Sequence, residues 1–163
     1  MTCCVAALCD DGKTIIMVAD KLIGIGFIES EPDISKLLEL HFGWKVMLSG
    51  DDISSIFDIM DYAKKEIVNR GYATDQPVPL ETAMTVIRDS YEKKRMEEAE
   101  SLYLKPSGWD VASFNAGGHV LPDYGEIKWK VENHSLPIEL LVAGFSEGRG
   151  HILALPAVAR RKG

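Results

Sequence analysis

The second residue of the chain is a threonine, which follows the initiator methionine directly. Removal of Met1 leaves Thr2 with a hydroxyl group and a free α-amine on the same residue. A hydroxyl nucleophile beside an amine base forms a self-sufficient unit for attack on a carbonyl carbon. Threonine is small enough for a methionine aminopeptidase to remove the residue before it. The amino terminus is therefore the first candidate for chemistry.

Three cysteines, Cys3, Cys4 and Cys9, follow Thr2 within one short stretch. In an extended strand Cys3 and Cys4 point to opposite faces, so they make a poor metal clamp. We therefore predict buried, reduced cysteines in a cytoplasmic protein, and no metal or organic cofactor. A cysteine nucleophile is a weaker alternative, because Cys3 becomes terminal only after two residues are removed.

The elements that must position the amino terminus begin with a hairpin. Residues 3–9 and 14–18 are rich in β-compatible side chains, and the Asp-Gly turn of 10–12 joins them. Both strands carry apolar residues on both faces, so we expect the hairpin to lie inside a layered fold.

Two more strands and two long helices are predicted next. The strands are expected at 34–40 and 44–48. Apolar residues then recur with helical spacing over 53–67, and Asp51 or Asp52 precedes them as a cap. The second helix is expected over 80–102, with a solvated charged face.

The carboxy-terminal part shows one weak region and one clear hairpin. Prolines and glycines interrupt 105–137, which we interpret as an insertion with a short hairpin whose strand is 127–131. Strands are then predicted at 138–144 and 151–155. No linker divides the chain, so residues 1–163 are expected to form a single domain.

Charge and hydropathy exclude two classes of partner. The net charge is −7, which disfavours nucleic acid because phosphate binding requires a positive surface. The longest apolar runs are far too short to span a bilayer, and the charged residues near the start leave no apolar leader segment. We therefore expect no membrane partner.

Four landmarks stand in a fixed order along these elements. Thr2 opens the first strand, Asp20 closes the second, Lys36 begins the third and Gly50 ends the fourth before the capped helix. The quotable segments are Thr2-Cys3-Cys4-Val5-Ala6, Asp11-Gly12, Ala19-Asp20-Lys21, Ser35-Lys36-Leu37, Ser49-Gly50-Asp51, Leu140-Leu141-Val142-Ala143-Gly144 and Gly150-His151-Ile152. In these segments the chain resembles the amino-terminal half of the proteasome β-subunit family, the threonine members of the N-terminal-nucleophile hydrolases.

The resemblance implies a fold and a set of roles. The fold would be α+β, an αββα sandwich of two antiparallel sheets with helices outside. Thr2 Oγ would be the nucleophile and its α-amine the base. The Lys36 ammonium would lower the pKa of that amine, Asp20 would hold Lys36 in place, and the Gly50 N–H would bind the oxyanion.

The resemblance also implies an activity and partners. The expected activity is that of a cytoplasmic threonine-type peptidase or amidohydrolase that acts on a peptide or amide, with self-association or assembly with related subunits. The alternative is a non-catalytic structural or regulatory subunit, or an inactive fragment. Taken singly, each landmark also has an ordinary structural explanation. Thr2 is a common second residue, Asp20 a turn residue, Lys36 a surface lysine and Gly50 a turn glycine.

Two departures from the family bear on these expectations. We expect no propeptide before Met1, so exposure of Thr2 would depend on methionine removal. The family continues after the Gly150-His151 strand with a Gly-Ser-Gly segment, further strands and helices, which are missing here. Without these elements we expect part of the first hairpin to be exposed to solvent. Each large apolar side chain that loses its burial would cost about 1.5–3 kcal/mol of stability. Either another chain completes the fold, or a shortened product folds poorly.

Overall fold

The computed structural model describes residues 3–20, 23–25, 28–30, 35–50 and 52–155. Its strands are β1 (Cys4–Cys9), β2 (Thr14–Ala19), β3 (Ile23–Ile25), β4 (Ile28–Ser30), β5 (Leu37–His41), β6 (Trp44–Gly50), β7 (Ile138–Ser146) and β8 (Arg149–Leu155). Its α-helices are α1 (Ile53–Asn69), α2 (Leu80–Ala99), α3 (Val111–Gly117) and α4 (Tyr124–Glu132). The described part of the chain is thus an α+β structure whose strand pairs are all antiparallel.

The amino-terminal hairpin is present as the sequence predicts. β1 and β2 pair in register from Cys4 opposite Ala19 to Cys9 opposite Thr14. The turn between them contains Asp10 and Asp11 with positive φ angles of 52° and 53°. Aspartate is one of the few non-glycine residues that enters this region readily, because its short polar side chain bonds locally. Asp10 does so by accepting the Thr14 hydroxyl at 2.8 Å.

A four-stranded sheet in the order β5-β6-β7-β8 carries the two helices on one face. The alternate residues Trp44, Val46 and Leu48 of β6 point into the same buried cluster as Ile59 of α1 and Ile87 of α2. Burying each such side chain contributes about 1.5–3 kcal/mol, so this cluster is the principal core. The strands predicted at 34–40 and 44–48, both long helices and the carboxy-terminal hairpin are confirmed, with shifted ends.

The first helix begins at a polar cap. The Asp52 side chain accepts the backbone N–H of Ser55 at 3.1 Å. This bond satisfies one of the amide groups that the first helical turn leaves without a partner. Of the two predicted candidates, Asp52 is therefore confirmed as the cap, whereas Asp51 lies outside the described residues.

The β1–β2 hairpin packs on the other face of the four-stranded sheet. A side chain at Gly150 of β8 would lie only 2.9 Å from Leu8 Cδ2 and 3.0 Å from Ile15 Cγ1, so the hairpin rests directly on this glycine. The strand β1 also contacts β6 and β7. The layers are therefore helices, four-stranded sheet and hairpin.

The outer face of the hairpin is exposed to solvent, with Val5, Ile16 and Val18 53%, 51% and 60% exposed. This disagrees with the expectation that both faces are covered, and it agrees with the expectation that the hairpin loses cover without the family's later strands. Val5 and Val18 form a cross-strand pair, so the exposed side chains make one continuous surface. Within the described residues, only the inner face of the hairpin is covered by another layer.

The segment 105–137 is helical, and the predicted short hairpin within it is wrong. Residues 127–131 lie in α4 instead of a strand. Ile127 and Val131 alternate with Trp129, which suggested a strand, but they are also four residues apart and so share one helix face. That face packs with Phe114 in a second, smaller core, while Trp129 is 57% exposed.

The charged stretch at the end of α2 faces solvent on one side and α1 on the other. Lys94 forms an ion pair with Asp58 of α1, and the Tyr62 hydroxyl donates to Glu97 at 2.8 Å. These contacts hold the two helices together above the sheet. No helix in the described part of the chain combines the length and apolar character needed to cross a membrane.

Candidate functional site

Two of the four sequence-predicted site residues, Lys36 and Asp20, lie in direct contact. Lys36 immediately precedes β5 and is 8% exposed, and its Nζ donates to Asp20 Oδ1 at 2.5 Å. Asp20 immediately follows β2, sixteen positions earlier in the chain. A largely buried ammonium group needs a counter-charge close by, and this carboxylate supplies one. The pair therefore joins the end of the hairpin to the start of the four-stranded sheet.

The same carboxylate also holds the beginning of the chain. The Cys3 N–H donates to Asp20 Oδ2 at 3.2 Å, and the Asp20 N–H donates to the Cys3 carbonyl at 3.1 Å. Cys3 is the residue that directly follows Thr2 in the sequence. Thr2 itself lies outside the described residues, so its role as nucleophile stays a prediction.

These contacts fix the ionisation state of Asp20. The hydrogen bond from Lys36 lowers the pKa of the Asp20 carboxyl, and it outweighs the partial burial that opposes ionisation. The Cys3 N–H and the positive charge of Lys36 lower this pKa further. At neutral pH the site therefore presents a fixed ion pair beside the first described residue.

The lowered pKa of Asp20 predicts an acid-sensitive contribution to stability. The Asp20–Lys36 interaction is fully present above the ordinary carboxyl pKa of 3.8 and is lost as the pH falls below it through the lower folded-state value. We expect Asp20→Asn to reduce the free energy of unfolding at pH 7, and the difference from wild type to shrink towards pH 2. Urea unfolding at both pH values measures this.

The matched control is Asp75→Asn, which changes an exposed loop carboxylate. It should leave the free energy of unfolding near the wild-type value at both pH values, since isolated surface charges contribute little. A destabilisation by Asp20→Asn that is the same at pH 7 and pH 2 would contradict the electrostatic explanation and indicate a purely steric effect.

Gly50, the third described site residue, lies at the same end of the sheet. The Leu48 N–H donates to the Lys36 carbonyl at 3.1 Å. Gly50 is two residues further along the same strand, about 7 Å from Leu48 at the rise of an extended chain. The structure thus brings Asp20, Lys36 and Gly50 into one region.

The packing around Gly50 gives this glycine a structural explanation. Its φ angle is +140°, and a side chain there would place Cβ 2.3 Å from the Pro137 carbonyl oxygen and 2.7 Å from Ile138 Cα. No other residue fits this position without moving the start of β7. The presence of glycine at position 50 is therefore explained by the fold alone, whether or not its N–H binds an oxyanion.

A cavity of about 280 Å³ lies next to Gly50, between the hairpin and the sheet. Its lining residues come from four strands: Cys4, Met47, Ser49, Glu139, Leu140, Leu141, Ala154 and Leu155. Most of the wall is apolar, and Glu139 supplies an exposed carboxylate. The cavity places Cys4 beside the candidate site, a position that the sequence did not predict.

The cysteines differ from one another more than the sequence suggested. Cys3 is exposed, so the prediction that all three are buried is wrong, whereas Cys4 and Cys9 are partly buried and all three are free thiols. The Cys4 thiol donates to the Leu48 carbonyl at 3.5 Å. Burial, reinforced by the Asp20 charge, raises the pKa of the Cys4 thiol, so it stays protonated at neutral pH. That state disfavours Cys4 as a nucleophile.

The described part of the site offers the Lys36–Asp20 ion pair next to Cys3. Among the residues that the structure describes, no group of three or more histidine, cysteine, aspartate or glutamate side chains is arranged to hold a metal ion. A fixed positive charge next to a terminal amine favours the neutral form of that amine, which is the form that accepts a proton.

No family model matches this chain, and no curated protein matches its sequence.

Proposed function

We propose that this chain is a threonine-type amidohydrolase of the N-terminal-nucleophile class, similar to a proteasome β-subunit, with Thr2 as nucleophile after Met1 is removed. The observation that carries the proposal is the chain of contacts from Lys36 through Asp20 to the Cys3 N–H. It supports three of the four layers of the αββα fold that the class implies, since a hairpin and a helix-covered sheet meet at this pair.

The proposed reaction assigns one step to each group. The α-amine of Thr2 takes the hydroxyl proton as Thr2 Oγ attacks the carbonyl carbon of an amide. The Lys36 ammonium keeps the amine neutral beforehand, and the Gly50 N–H donates to the oxyanion of the tetrahedral intermediate. The C–N bond then breaks, the leaving amine takes the proton, and water hydrolyses the ester on Thr2.

The test is covalent labelling of the purified chain. Mass spectrometry first establishes that Met1 is absent, and the protein is then incubated with a β-lactone. We expect a single adduct on the amino-terminal peptide at Thr2, no adduct for Thr2→Ala and a retained adduct for Thr2→Ser. Full retention of Met1, or labelling that Thr2→Ala does not remove, would overturn the proposal.

A second candidate function is that of a non-catalytic structural or regulatory subunit. The exposed outer face of the hairpin, which includes Val5, Ile16 and Val18, favours it. Contiguous exposed apolar surface is typical of a face that another protein layer covers. Both functions are compatible with self-association or assembly with related subunits, so labelling at Thr2, more than oligomer size, discriminates between them.

The proposed setting is the cytoplasm, with a peptide or other amide as substrate. The three free cysteines are compatible with a reducing compartment. The net charge of −7 makes nucleic acid a poor partner.

A further inference from the structure

We propose that Cys4 is a positioning residue whose thiol ties the amino-terminal strand to β6 and so keeps the start of the chain against the Lys36–Asp20 pair. This inference rests on the proposed function for its effect on reaction rate. The tie itself is visible in the described contacts, and it can be tested without catalysis.

The contacts around Cys4 form a closed ring. The Cys4 thiol donates to the Leu48 carbonyl at 3.5 Å, and the Leu48 N–H donates to the Lys36 carbonyl at 3.1 Å. The Lys36 ammonium donates to Asp20, which accepts the Cys3 N–H. Because Cys3 and Cys4 are joined by a peptide bond, the ring returns to its start. The ring connects four places in the fold: the strand β1, the end of β2, the residue before β5, and Leu48 of β6.

The Cys4 thiol is the only side-chain link in this ring between β1 and β6. Cys4 pairs with Ala19 across the hairpin, so it stands beside the residue that precedes Asp20. The ionisable groups among the described residues that act on the thiol are Asp20, Lys36 and Cys3. Since burial keeps the thiol protonated at neutral pH, it retains the hydrogen that it donates to Leu48.

The chemistry of sulfur suits this contact. A hydroxyl donor prefers a distance of about 2.5–3.0 Å to an acceptor oxygen, which is shorter than the 3.5 Å observed here. A serine at position 4 would therefore have to draw the strand inward to make the bond, and an alanine would offer no donor. A thiol is a weak donor, so we expect its loss to change stability little. We expect the loss of the thiol to affect the labelling rate more than the stability, because a displacement of about 1 Å in the reacting groups can lower a rate about 100-fold.

The experiment compares Cys4→Ala, Cys4→Ser and Cys9→Ala in the full chain. Cys9 is the matched control, since it is also a free, partly buried thiol on β1 but pairs with Thr14 at the far end of the hairpin. The rate of β-lactone labelling at Thr2 is measured from pH 5 to pH 9. We expect Cys4→Ala to slow labelling about 10- to 100-fold, Cys4→Ser to be intermediate and Cys9→Ala to match wild type.

The pH profile separates positioning from general loosening. When the chain start moves away from the Lys36 charge, the pKa of the terminal amine rises, so the acid limb of the profile should move to higher pH in Cys4→Ala. A merely structural defect lowers the rate at all pH values without moving that limb. Thermal unfolding of each variant confirms that the protein remains folded.

Carboxyl NMR of Asp20 provides a readout that does not require activity. If the tie is lost and the Cys3 N–H leaves Asp20, the pKa of Asp20 should rise towards its ordinary value in Cys4→Ala and stay unchanged in Cys9→Ala. An unchanged Asp20 titration in folded Cys4→Ala overturns the inference. Failure of wild-type protein to label, with Asp20 shifted as expected in Cys4→Ala, instead overturns the proposed function and leaves the positioning role established.

Discussion

Replacing Lys36 with methionine is expected to lower the rate of β-lactone labelling at Thr2 by about 10-fold or more at pH 7, because an ordinary α-amine is only about a tenth neutral at that pH. Methionine retains an unbranched side chain of similar length but carries no charge. Without the ammonium group, the terminal amine is mostly protonated at neutral pH, so only a small fraction of the molecules can accept the hydroxyl proton of Thr2. The measurement is the labelling rate as a function of pH.

The pH dependence distinguishes this role from simple damage. If Lys36 acts by lowering the pKa of the amine, part of the lost rate should return as the pH rises above that pKa in Lys36→Met. The control is Lys45→Met, which removes an exposed lysine from β6 and should leave the profile unchanged. A Lys36→Met protein that labels at the wild-type rate and with the wild-type profile would contradict the proposed mechanism.

Stability must be separated from activity in this variant, because Lys36→Met leaves Asp20 without its ammonium partner. Removing one member of a largely buried pair is more damaging than removing both. We therefore expect the double variant Lys36→Met/Asp20→Asn to recover thermal stability relative to Lys36→Met while its labelling stays low. Recovery of labelling together with stability would show that Lys36 serves only the fold.

The contact between Asp20 and Lys36 shows where sequence reasoning reaches and where it stops. The hairpin, the sheet strands and the long helices follow from local patterns, namely alternation, the Asp-Gly turn and helical apolar spacing. No local pattern places a residue after β2 against a residue before β5. Only the family resemblance brought the two together before the structure was known, and the resulting 2.5 Å contact agrees with that expectation.

The errors also have local physical causes. Residues 127–131 alternate like a strand, yet the four-residue spacing of Ile127 and Val131 fits a helix equally well, and packing against Phe114 decides between them. The apolar residues on both faces of the hairpin predict burial without indicating which layer provides it, and only the comparison with the family led us to expect the exposure of Val18. The role of the Gly50 N–H as an oxyanion donor stays a prediction, whereas the packing alone explains why this residue is a glycine.

Replacing Gly50 with alanine is expected to destabilise the protein by about 2–6 kcal/mol, the combined scale of backbone strain and overpacking. The φ angle of +140° is one that residues with a side chain rarely adopt, and the new Cβ would meet the Pro137 carbonyl oxygen at 2.3 Å. Because whole domains are stable by only about 5–15 kcal/mol, this is a large loss. Urea unfolding at pH 7 measures it.

Gly148→Ala provides a matched control that separates strain from steric conflict. Gly148 lies in the turn between β7 and β8 with a φ angle of +75°, and nothing lies within 4 Å of a Cβ placed there. Its substitution should therefore cost only the backbone term, about 1–3 kcal/mol. The excess cost of Gly50→Ala over Gly148→Ala measures the contact with the start of β7.

The outcome at Gly50 decides which constraint acts on this position. If Gly50→Ala is no less stable than Gly148→Ala and loses only Thr2 labelling, then glycine is needed to let a substrate approach the N–H group, and the steric explanation is wrong. If Gly50→Ala loses both stability and labelling, the end of β6 must be correctly folded before the Gly50 N–H can act as an oxyanion donor. The 2.3 Å approach to a backbone oxygen, which cannot rotate away as a side chain can, leads us to expect the second result.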